Sequence, residues 1–475
     1  MCTQSESLLR RALANNQTYV DFQDRKGRTP LHFAANWPYG VAILLGRGAD
    51  IRKTDRFGWS PLHYAYSLKC LASVQLMLQA DSVLYNGQSC TIAVLEDGIA
   101  SRDTQILEVT IAALVERRLR LERLAEAKAS TVALELRHDK MFDNQAFETQ
   151  TPLESSAIPA DEASPVAAIL ESVYQAKNLD CWAADKLFCA GFRHVDRVDE
   201  TGLTPLMKLR IQLFTSRPFA DALKLGIWLT SHGAIICRTL PTSSASVRHQ
   251  LGADFGYYLM EAIWFGGPVS HQTIRARFHS TIFDLDDHCR AFLLDILTRD
   301  KADNWVCACS YHGCRALIKM LRVCYSFVDG IGEKTFGTFP AEMGKIWLIG
   351  ALVDFVMPYL RGDDSLLREI VRFVTFDRLD LTHTCCNTDS PIEDCLKVAE
   401  VQEIREEERL ISNDLEELLA SFEPNREEFE ALLESLLGKH WLSRMGHSPY
   451  EKKISAHDSV LQARKLGVIL EWDPA

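Results

Sequence analysis

The residues best suited to chemistry in this 475-residue sequence are cysteines and a histidine, gathered in two short clusters. The first cluster contains Cys307, Cys309 and Cys314 beside a glycine, and the second contains His383, Cys385 and Cys386. A structural zinc ion needs four thiolate or imidazole ligands arranged as a tetrahedron. The clusters therefore predict a zinc site made of the first three thiols and Cys385, with His383 and Cys386 as alternative fourth ligands.

Two other interpretations of these cysteines stay open. Free cysteine is often buried as a small apolar side chain, so both clusters can be ordinary packing in a core. Alternatively, three ligands and an open water position would favour catalysis, and the runner-up function is a zinc- or thiol-dependent enzyme centred on the clusters. Because no complete catalytic signature accompanies them, we expect a protein that is not an enzyme.

Two further segments resemble ligand-binding motifs but lack an essential part of each. Residues 330–335 end like a phosphate-binding loop, without the glycine spacing that curls backbone N–H groups around a phosphate. Residues 284–288 offer carboxylates for a cation, without the glycine and distal glutamate of a calcium loop. We expect a plain turn at the first segment and an aspartate N-cap of a helix at the second.

A pattern that positions helices occurs twice near the N-terminus. Gly27-Arg-Thr-Pro-Leu-His-Phe-Ala-Ala is followed by Gly58-Trp-Ser-Pro-Leu-His-Tyr-Ala, and the copies lie 31 residues apart. A residue before proline is pushed out of the helical region, so the threonine or serine is expected to cap a helix that begins at Pro30 or Pro61. Each copy therefore predicts a short helix whose first leucine points inward.

The pattern resembles the ankyrin repeat, a turn and two antiparallel helices that recur about every 33 residues. The resemblance implies that His32 and His63 hydrogen-bond within their own repeats and tie adjacent turns together. Because such repeats bury their apolar faces only by stacking, we expect further copies. These are a capping helix near Leu8, a worn copy over residues 86–93 and a clear copy over residues 199–207.

Helical periodicity and the positions of glycine and proline predict an all-α fold: an interrupted ankyrin-repeat stack packed with a C-terminal helical domain. Residues 1–140 hold the N-terminal repeats and a long charged helix, and residues 141–165 form a linker or surface loop. Residues 166–240 form a second ankyrin-like segment. Residues 241–475 form a helical domain that carries the cysteine clusters and acidic amphipathic helices.

The negative charge is concentrated near the C-terminus. Thirteen acidic residues and three arginines lie between Glu400 and Glu434, and they account for −10 of the net charge of −12. Elsewhere the chain is nearly neutral, and basic residues of the long helix, such as Arg117 and Arg118, alternate with glutamates. We therefore expect that helix to present a solvated charged face, and we expect no nucleic-acid partner.

The same sequence features bear on location. The N-terminus has no apolar signal segment, the longest apolar run is too short to cross a bilayer, and fourteen cysteines indicate a reducing compartment. We expect an intracellular protein, cytoplasmic or nuclear, without a membrane partner.

The cysteine clusters, the repeats and the acidic helices together are similar to those of a group of fungal ankyrin-repeat proteins without an assigned function. Ankyrin stacks present their turns and inner helices to other proteins along a concave face. The resemblance thus implies a non-enzymatic protein–protein interaction scaffold. Because a few aromatic anchors supply most of the affinity of such surfaces, Trp37, Trp59 and Tyr64 are the candidate partner-binding residues.

Overall fold

A computed structural model describes most of the chain up to residue 378 and part of the acidic segment. The described residues are 5–15, 20–80, 88–139, 173–199, 201–209, 219–241, 246–264, 271–299, 315–331, 341–356, 365–378 and several between 402 and 417. They form helices, and the β-pairing found among them is one isolated bridge between Thr239 and Ser246. The all-α prediction is therefore confirmed.

The chain divides into two compact units. The first contains Met1–Arg210 and Phe214–Ile236, and the second contains Ile211–Leu213 and Cys237–Ala475. No described helix is both apolar enough and long enough to span a bilayer.

The first unit is built from helix pairs. Helix α1 precedes the pairs α2 with α3, α4 with α5, and α6 with α7, and the later elements are a short 3-10 turn, α8 and α9. Their bounds are Glu6–Asn15 (α1), Pro30–Ala34 (α2), Pro38–Gly46 (α3), Pro61–Ser67 (α4), Leu71–Gln79 (α5), Gln88–Ala100 (α6), Thr104–Asp139 (α7), Val173–Gln175 (3-10), Cys181–Cys189 (α8) and Phe219–Ser231 (α9).

The predicted helix starts are confirmed. Helices α2 and α4 begin at the two prolines, where a missing N–H is not needed. Ser60 Oγ accepts the N–H of His63 at 3.2 Å, which caps α4. Leu31 and Leu62 behind the prolines are 0% and 2% exposed, so each short helix buries the leucine that the pattern places inward.

An identical turn precedes the repeat motif at three places. In each, an aspartate side chain accepts the N–H groups two and four residues later, and a glycine with positive φ follows three residues after the aspartate. The pairs are Asp24 with Gly27, Asp55 with Gly58, and Asp199 with Gly202, with glycine φ values of 80°, 81° and 79°. The copy predicted over residues 199–207 therefore repeats the turn of the first two, although residues 205–208 form a turn where the first two copies begin a helix.

Helix α7 contacts α8, although residues 140–172 between them lie outside the described residues. The Arg118 guanidinium donates to the Ala190 carbonyl at 3.2 Å and lies 4.7 Å from the centre of the Phe192 ring. Lys186 of α8 pairs with Glu108 of α7 at 2.7 Å. The later repeat elements thus pack on the earlier ones, and the repeats form one interrupted stack.

These contacts correct one expectation about α7. Its charged face was predicted to be solvated, and Glu116, Arg120 and Arg123 are exposed, but Arg117 is only 6% exposed and Arg118 donates to the carbonyl of Ala190. For Arg118 the reason is that Ala190 and Phe192 lie against it, which the alternation of charges along the sequence does not reveal.

The second unit consists of longer helices: α10 (Val247–Trp264), α11 (His271–Phe283), α12 (Asp287–Thr298), α13 (Ala316–Ile331), α14 (Ala341–Val356) and α15 (Ser365–Arg378). Gly252 and Gly256 lie one turn apart on α10, against the backbone of α13. A Cβ at these positions would stand 2.5 Å from the Ala316 carbonyl oxygen and 2.8 Å from that of Met320. Glycine is therefore what allows the two helices to approach so closely.

Charged pairs join other helices of this unit. Arg315 at the start of α13 is 4% exposed and lies 2.9 Å from Glu369 of α15. Lys345 of α14 lies 3.1 Å from Asp377 of α15. At the start of α12, Asp286 accepts the N–H of Cys289 at 2.8 Å, so the predicted aspartate N-cap is confirmed.

The acidic segment meets the same unit where it is described. Leu415 is 1% exposed, and Glu416 pairs with Arg372 of α15 at 2.6 Å. One apolar residue of the predicted acidic amphipathic helices, Leu415, is thus buried. Residues 410–412, 414 and 418–475 of this segment lie outside the described residues.

Candidate protein-interaction surface

Four aromatic side chains lie together around the second turn and the start of α4: Phe57, Trp59, His63 and Tyr64, here called the Trp59 cluster. Ring centres of Trp59 lie 5.8 Å from Phe57, 4.9 Å from His63 and 6.1 Å from Tyr64. Phe57 is 71% exposed and Trp59 is 48% exposed. The cluster therefore offers a continuous aromatic surface to solvent.

The backbone beneath Trp59 is fixed by hydrogen bonds. Its N–H donates to Asp55 Oδ1 at 3.0 Å, and its carbonyl accepts the Asp55 N–H at 2.9 Å. Tyr64 also donates its hydroxyl to Asp55, at 2.8 Å from Oδ2. Asp55 thus bonds to both ends of the turn and to Tyr64, so the backbone that carries the exposed Trp59 ring is well ordered.

His32 joins the first repeat to this turn. Its Nδ1 accepts the backbone N–H of Thr29 at 2.9 Å, so Nε2 carries the proton and donates to the Trp59 carbonyl at 3.0 Å. The ring is 3% exposed, and burial lowers the pKa of His32 below its usual 6.5. The role implied by the resemblance, bonding within the repeat and to the adjacent turn, is confirmed for this histidine.

His63 occupies the same position in the second repeat but pairs differently. Its Nδ1 lies 2.7 Å from Asp97 Oδ1 of α6, on the next repeat. The hydrogen bond to Asp97 raises the pKa of His63 above 6.5, against the opposing effect of burial. His63 therefore also links neighbouring repeats, but with an ionisable partner where His32 uses a peptide carbonyl.

A further aromatic side chain stands on α2. Phe33 is 52% exposed, and the guanidinium carbon of Arg28 lies 4.4 Å from the centre of its ring. Arg28 is itself held by Asp24, at 2.8 Å from Oδ2. The side chain of Phe33 is thus positioned by the first turn much as Tyr64 is positioned by the second.

The structure brings two of the three candidate partner-binding residues together. Trp59 and Tyr64 belong to the Trp59 cluster, whereas Trp37 lies in the turn between α2 and α3 and packs over Gly40. A Cβ at Gly40 would stand 2.2 Å from the Trp37 ring. Phe33, Phe57 and His63 were not among the candidates, although each lies within or beside the same repeat pattern.

The predicted zinc ligands lie outside the described residues: Cys307, Cys309, Cys314, His383, Cys385 and Cys386. Within the described ranges, no three His, Cys, Asp or Glu side chains are grouped so that they could hold a metal ion. Cys324, which follows the first cluster, is fully buried in α13 with its sulfur 3.8 Å from the Gly256 carbonyl oxygen. Burial raises the pKa of its thiol, so Cys324 is a packing residue rather than a reactive thiolate.

Comparison with protein families agrees with the repeat geometry. Residues 2–87 match the family described as ankyrin repeats, in three copies. The matched region ends before α6, whereas the turn at Asp199 and the contacts of α8 with α7 continue the same construction further along the chain.

Individual relatives match only part of the chain. It is 36% identical over 92 residues to NF-kappa-B inhibitor alpha from Homo sapiens, which covers 17% of this chain and 29% of that protein. It is 36% identical over 73 residues to ankyrin repeat domain-containing protein 13B from Mus musculus, which covers 15% of this chain and 12% of that protein. The chain thus spans less than a third of either relative. The likeness to fungal proteins stays a prediction. Residues 2–87 of the chain are a set of ankyrin repeats.

Proposed function

We propose that this chain is a non-enzymatic scaffold that binds another protein through its ankyrin repeats, with the Trp59 cluster and Phe33 at the centre of the contact. The observation that carries the proposal is the exposure of these rings on a hydrogen-bonded turn. Phe33, Phe57 and Trp59 are 52%, 71% and 48% exposed, although Leu31 and Leu62 of the same two motifs are buried.

Such rings suit a protein interface for two reasons. Aromatic side chains bury a large area for few rotatable bonds, and tryptophan and tyrosine are enriched among the residues that dominate binding energy. The turn beneath Trp59 is already ordered by Asp55, so little further backbone freedom is lost on binding. When a partner side chain covers Trp59, the free energy gained by burying the ring is therefore offset little by the cost of ordering the turn.

The relatives support the manner of working rather than a particular partner. One of them is named as an inhibitor of NF-kappa-B, so that protein acts on another protein. For this chain we infer only the same manner, binding to a protein whose identity is open. The runner-up, a zinc- or thiol-dependent enzyme, gains no support from the described residues, since the one cysteine near the first cluster that is described, Cys324, is buried with a raised thiol pKa.

Site-specific cross-linking tests the proposal. A photoreactive phenylalanine analogue is placed at Phe57 in the full chain, and the matched control carries it at Tyr39 of α3, which is 55% exposed outside the Trp59 cluster. We expect a protein that cross-links from position 57 and not from position 39. The purified partner should then bind the chain directly and lose at least about tenfold in affinity with Trp59→Ala, the loss typical of a dominant interface residue.

The opposite pattern would refute the proposal. Equal cross-linking from both positions, or a purified partner that binds Trp59→Ala as tightly as the unaltered chain, would remove the Trp59 cluster from the interface. Far-ultraviolet circular dichroism and the urea midpoint of Trp59→Ala establish that the variant is folded, because the ring is exposed and its removal should change stability little.

Two earlier expectations stay predictions. Metal analysis of the purified full chain tests the structural zinc, with about one zinc per chain expected and Cys307→Ser or Cys385→Ser expected to release it. Imaging of the tagged chain tests the intracellular location and distinguishes cytoplasm from nucleus.

A further inference from the structure

We propose that the partner presents an acidic segment: a large apolar side chain covers Trp59, and flanking carboxylates face a row of cations formed by Arg25, Lys26 and Arg56. This inference rests on the proposed function, because it names the chemistry of the partner for the same surface. The row of cations and the Trp59 cluster are therefore treated as one binding surface.

The cations stand at the tips of two adjacent turns. Arg25 and Lys26 are the tip residues of the first turn, and Arg56 occupies the same place in the second; all three are exposed. The Arg56 N–H donates to the Lys26 carbonyl at 2.9 Å, so the two tips are bonded to each other. Phe57 follows Arg56 directly, which puts the end of the row against the exposed aromatic rings.

The acids of these turns do not neutralise the row. Asp24 accepts the N–H groups of Lys26 and Arg28 and pairs with the Arg28 guanidinium. Asp55 is 6% exposed and is occupied by the turn and by Tyr64. Within the described part of the chain, no carboxylate lies within ion-pair distance of Arg25, Lys26 or Arg56, so their charges face solvent.

Other cations nearby are already paired, which isolates the row further. Arg28 is held by Asp24, Arg52 lies 3.0 Å from Asp50, and Lys53 lies 3.6 Å from Asp21. An acidic segment therefore finds its charge complement at the turn tips rather than along the whole repeat. Complementary charge of this kind raises the association rate and fixes the orientation of a bound segment.

Cations beside exposed rings also suit nucleic acid, but the details favour a protein. Nucleic-acid affinity comes from many phosphate contacts, and this row supplies three cations. The neighbouring cations Arg28, Arg52 and Lys53 are already paired with aspartates, so a phosphate backbone would find no continuation of the row along the repeat. A short acidic protein segment therefore fits this surface better.

The experiment selects peptides from a random 16-residue phage library on the immobilised full chain. We expect selected peptides to carry several Asp or Glu residues around a Trp, Phe or Leu, and to lose binding to Trp59→Ala. With Lys26→Glu and Arg56→Glu combined, the synthetic peptides should bind about tenfold more weakly, since two exposed attractions become repulsions. The loss should shrink as salt is raised.

A variant with one charge reversal, compared with Arg56→Glu alone, controls for the change of net charge. Lys69 is exposed in the turn between α4 and α5, and Lys69→Glu should leave peptide affinity unchanged. Urea midpoints of all variants are measured alongside, so a folding defect is not read as a binding defect.

The failures are distinguishable. Peptides that need Trp59 but carry no excess of acids, or that bind the double variant as tightly as the unaltered chain, overturn this inference and leave the proposed function standing. No selected peptide that depends on Trp59 overturns both. Tight binding of a single-stranded oligonucleotide that is lost with Arg56→Glu also overturns the inference, in favour of a nucleic-acid surface.

Discussion

The helices of the two units are held together by different contacts. In the first, short helices are held by turns that repeat, and residues about one repeat apart touch: the Arg56 N–H reaches the Lys26 carbonyl, and His32 reaches the Trp59 carbonyl. In the second, long helices far apart in sequence meet directly, as Gly252 of α10 meets Ala316 of α13. Hydrogen bonds between turns hold neighbouring repeats of the first unit together, whereas in the second unit the backbones of two helices pack directly against each other.

This difference predicts where each unit is sensitive to substitution. A repeat stack depends on the apolar residue that each helix contributes and on the geometry of its turns, because each repeat supports the next. A bundle joined through glycines depends on the space between two backbones, because protein interiors have few voids and any added atom must displace another. Removing a buried side chain from the stack and adding a methyl group between two helices of the bundle therefore test this difference between the units.

The largest effect is expected for Leu62→Ala in the first unit. Leu62 is 2% exposed, and truncating a buried leucine costs about 2–5 kcal/mol in the free energy of unfolding. Urea unfolding followed by tryptophan fluorescence measures the loss. The control is Leu68→Ala, since Leu68 is 51% exposed and its truncation should change stability by less than about 0.5 kcal/mol. Equal midpoints for both variants would show that the stack does not depend on Leu62.

The next effect is expected for Gly252→Ala in the second unit. Its added Cβ would lie 2.5 Å from a carbonyl oxygen of α13, and overpacking of this kind costs about 1–3 kcal/mol. Gly350→Ala in α14 is the matched control, because nothing lies within 4 Å of its Cβ position. That variant should gain about 0.5–1 kcal/mol from helix propensity. If Gly252→Ala were also stabilised, the close approach of α10 and α13 would be wrong.

A smaller effect compares two glycines within the stack. Gly27 and Gly58 both have φ near 80°, so alanine at either position costs about 1–2 kcal/mol of backbone strain. Only the Cβ of Gly27→Ala would also meet the next turn, at 3.0 Å from Arg56 N. Thermal unfolding should therefore show a lower midpoint for Gly27→Ala than for Gly58→Ala. Identical midpoints would show that the first turn does not approach the second as closely as 3.0 Å.

The smallest effect concerns the two repeat histidines, whose pH dependences should have opposite signs. The pKa of His32 is lowered by burial, so its contribution to stability is present above about 6.5 and is lost as pH falls through the lowered value. The pKa of His63 is raised by Asp97, so its contribution is full below about 6.5 and is lost as pH rises through the raised value. Because His63 is partly exposed, we expect less than about 1 kcal/mol from it.

Urea midpoints at a series of pH values test these signs. His32→Gln should remove the loss of stability in acid, and Asp97→Asn should remove the gain that His63 brings there. If the urea midpoint changed with pH in the same way in both variants, His32 and His63 would not contribute to stability with opposite pH dependences.

The sequence alone determined the features that depend on neighbours along the chain. Proline after threonine or serine predicts where α2 and α4 begin, and the repeated glycine predicts the turns. Asp286 in the same way predicts the start of α12. Each follows from local steric and hydrogen-bonding rules, so the ankyrin repeats and the all-α fold could be predicted without knowing what they contact.

Tertiary structure decided the rest, because the deciding partners are distant in sequence. Arg118 contacts a later part of the stack only because Ala190 and Phe192 lie against it. Trp59 and Tyr64 face a common surface while Trp37 packs on Gly40, a distinction set by which end of the repeat each occupies. Gly252 is a contact point only because α13 passes against it, and glycine in a sequence does not say which backbone approaches.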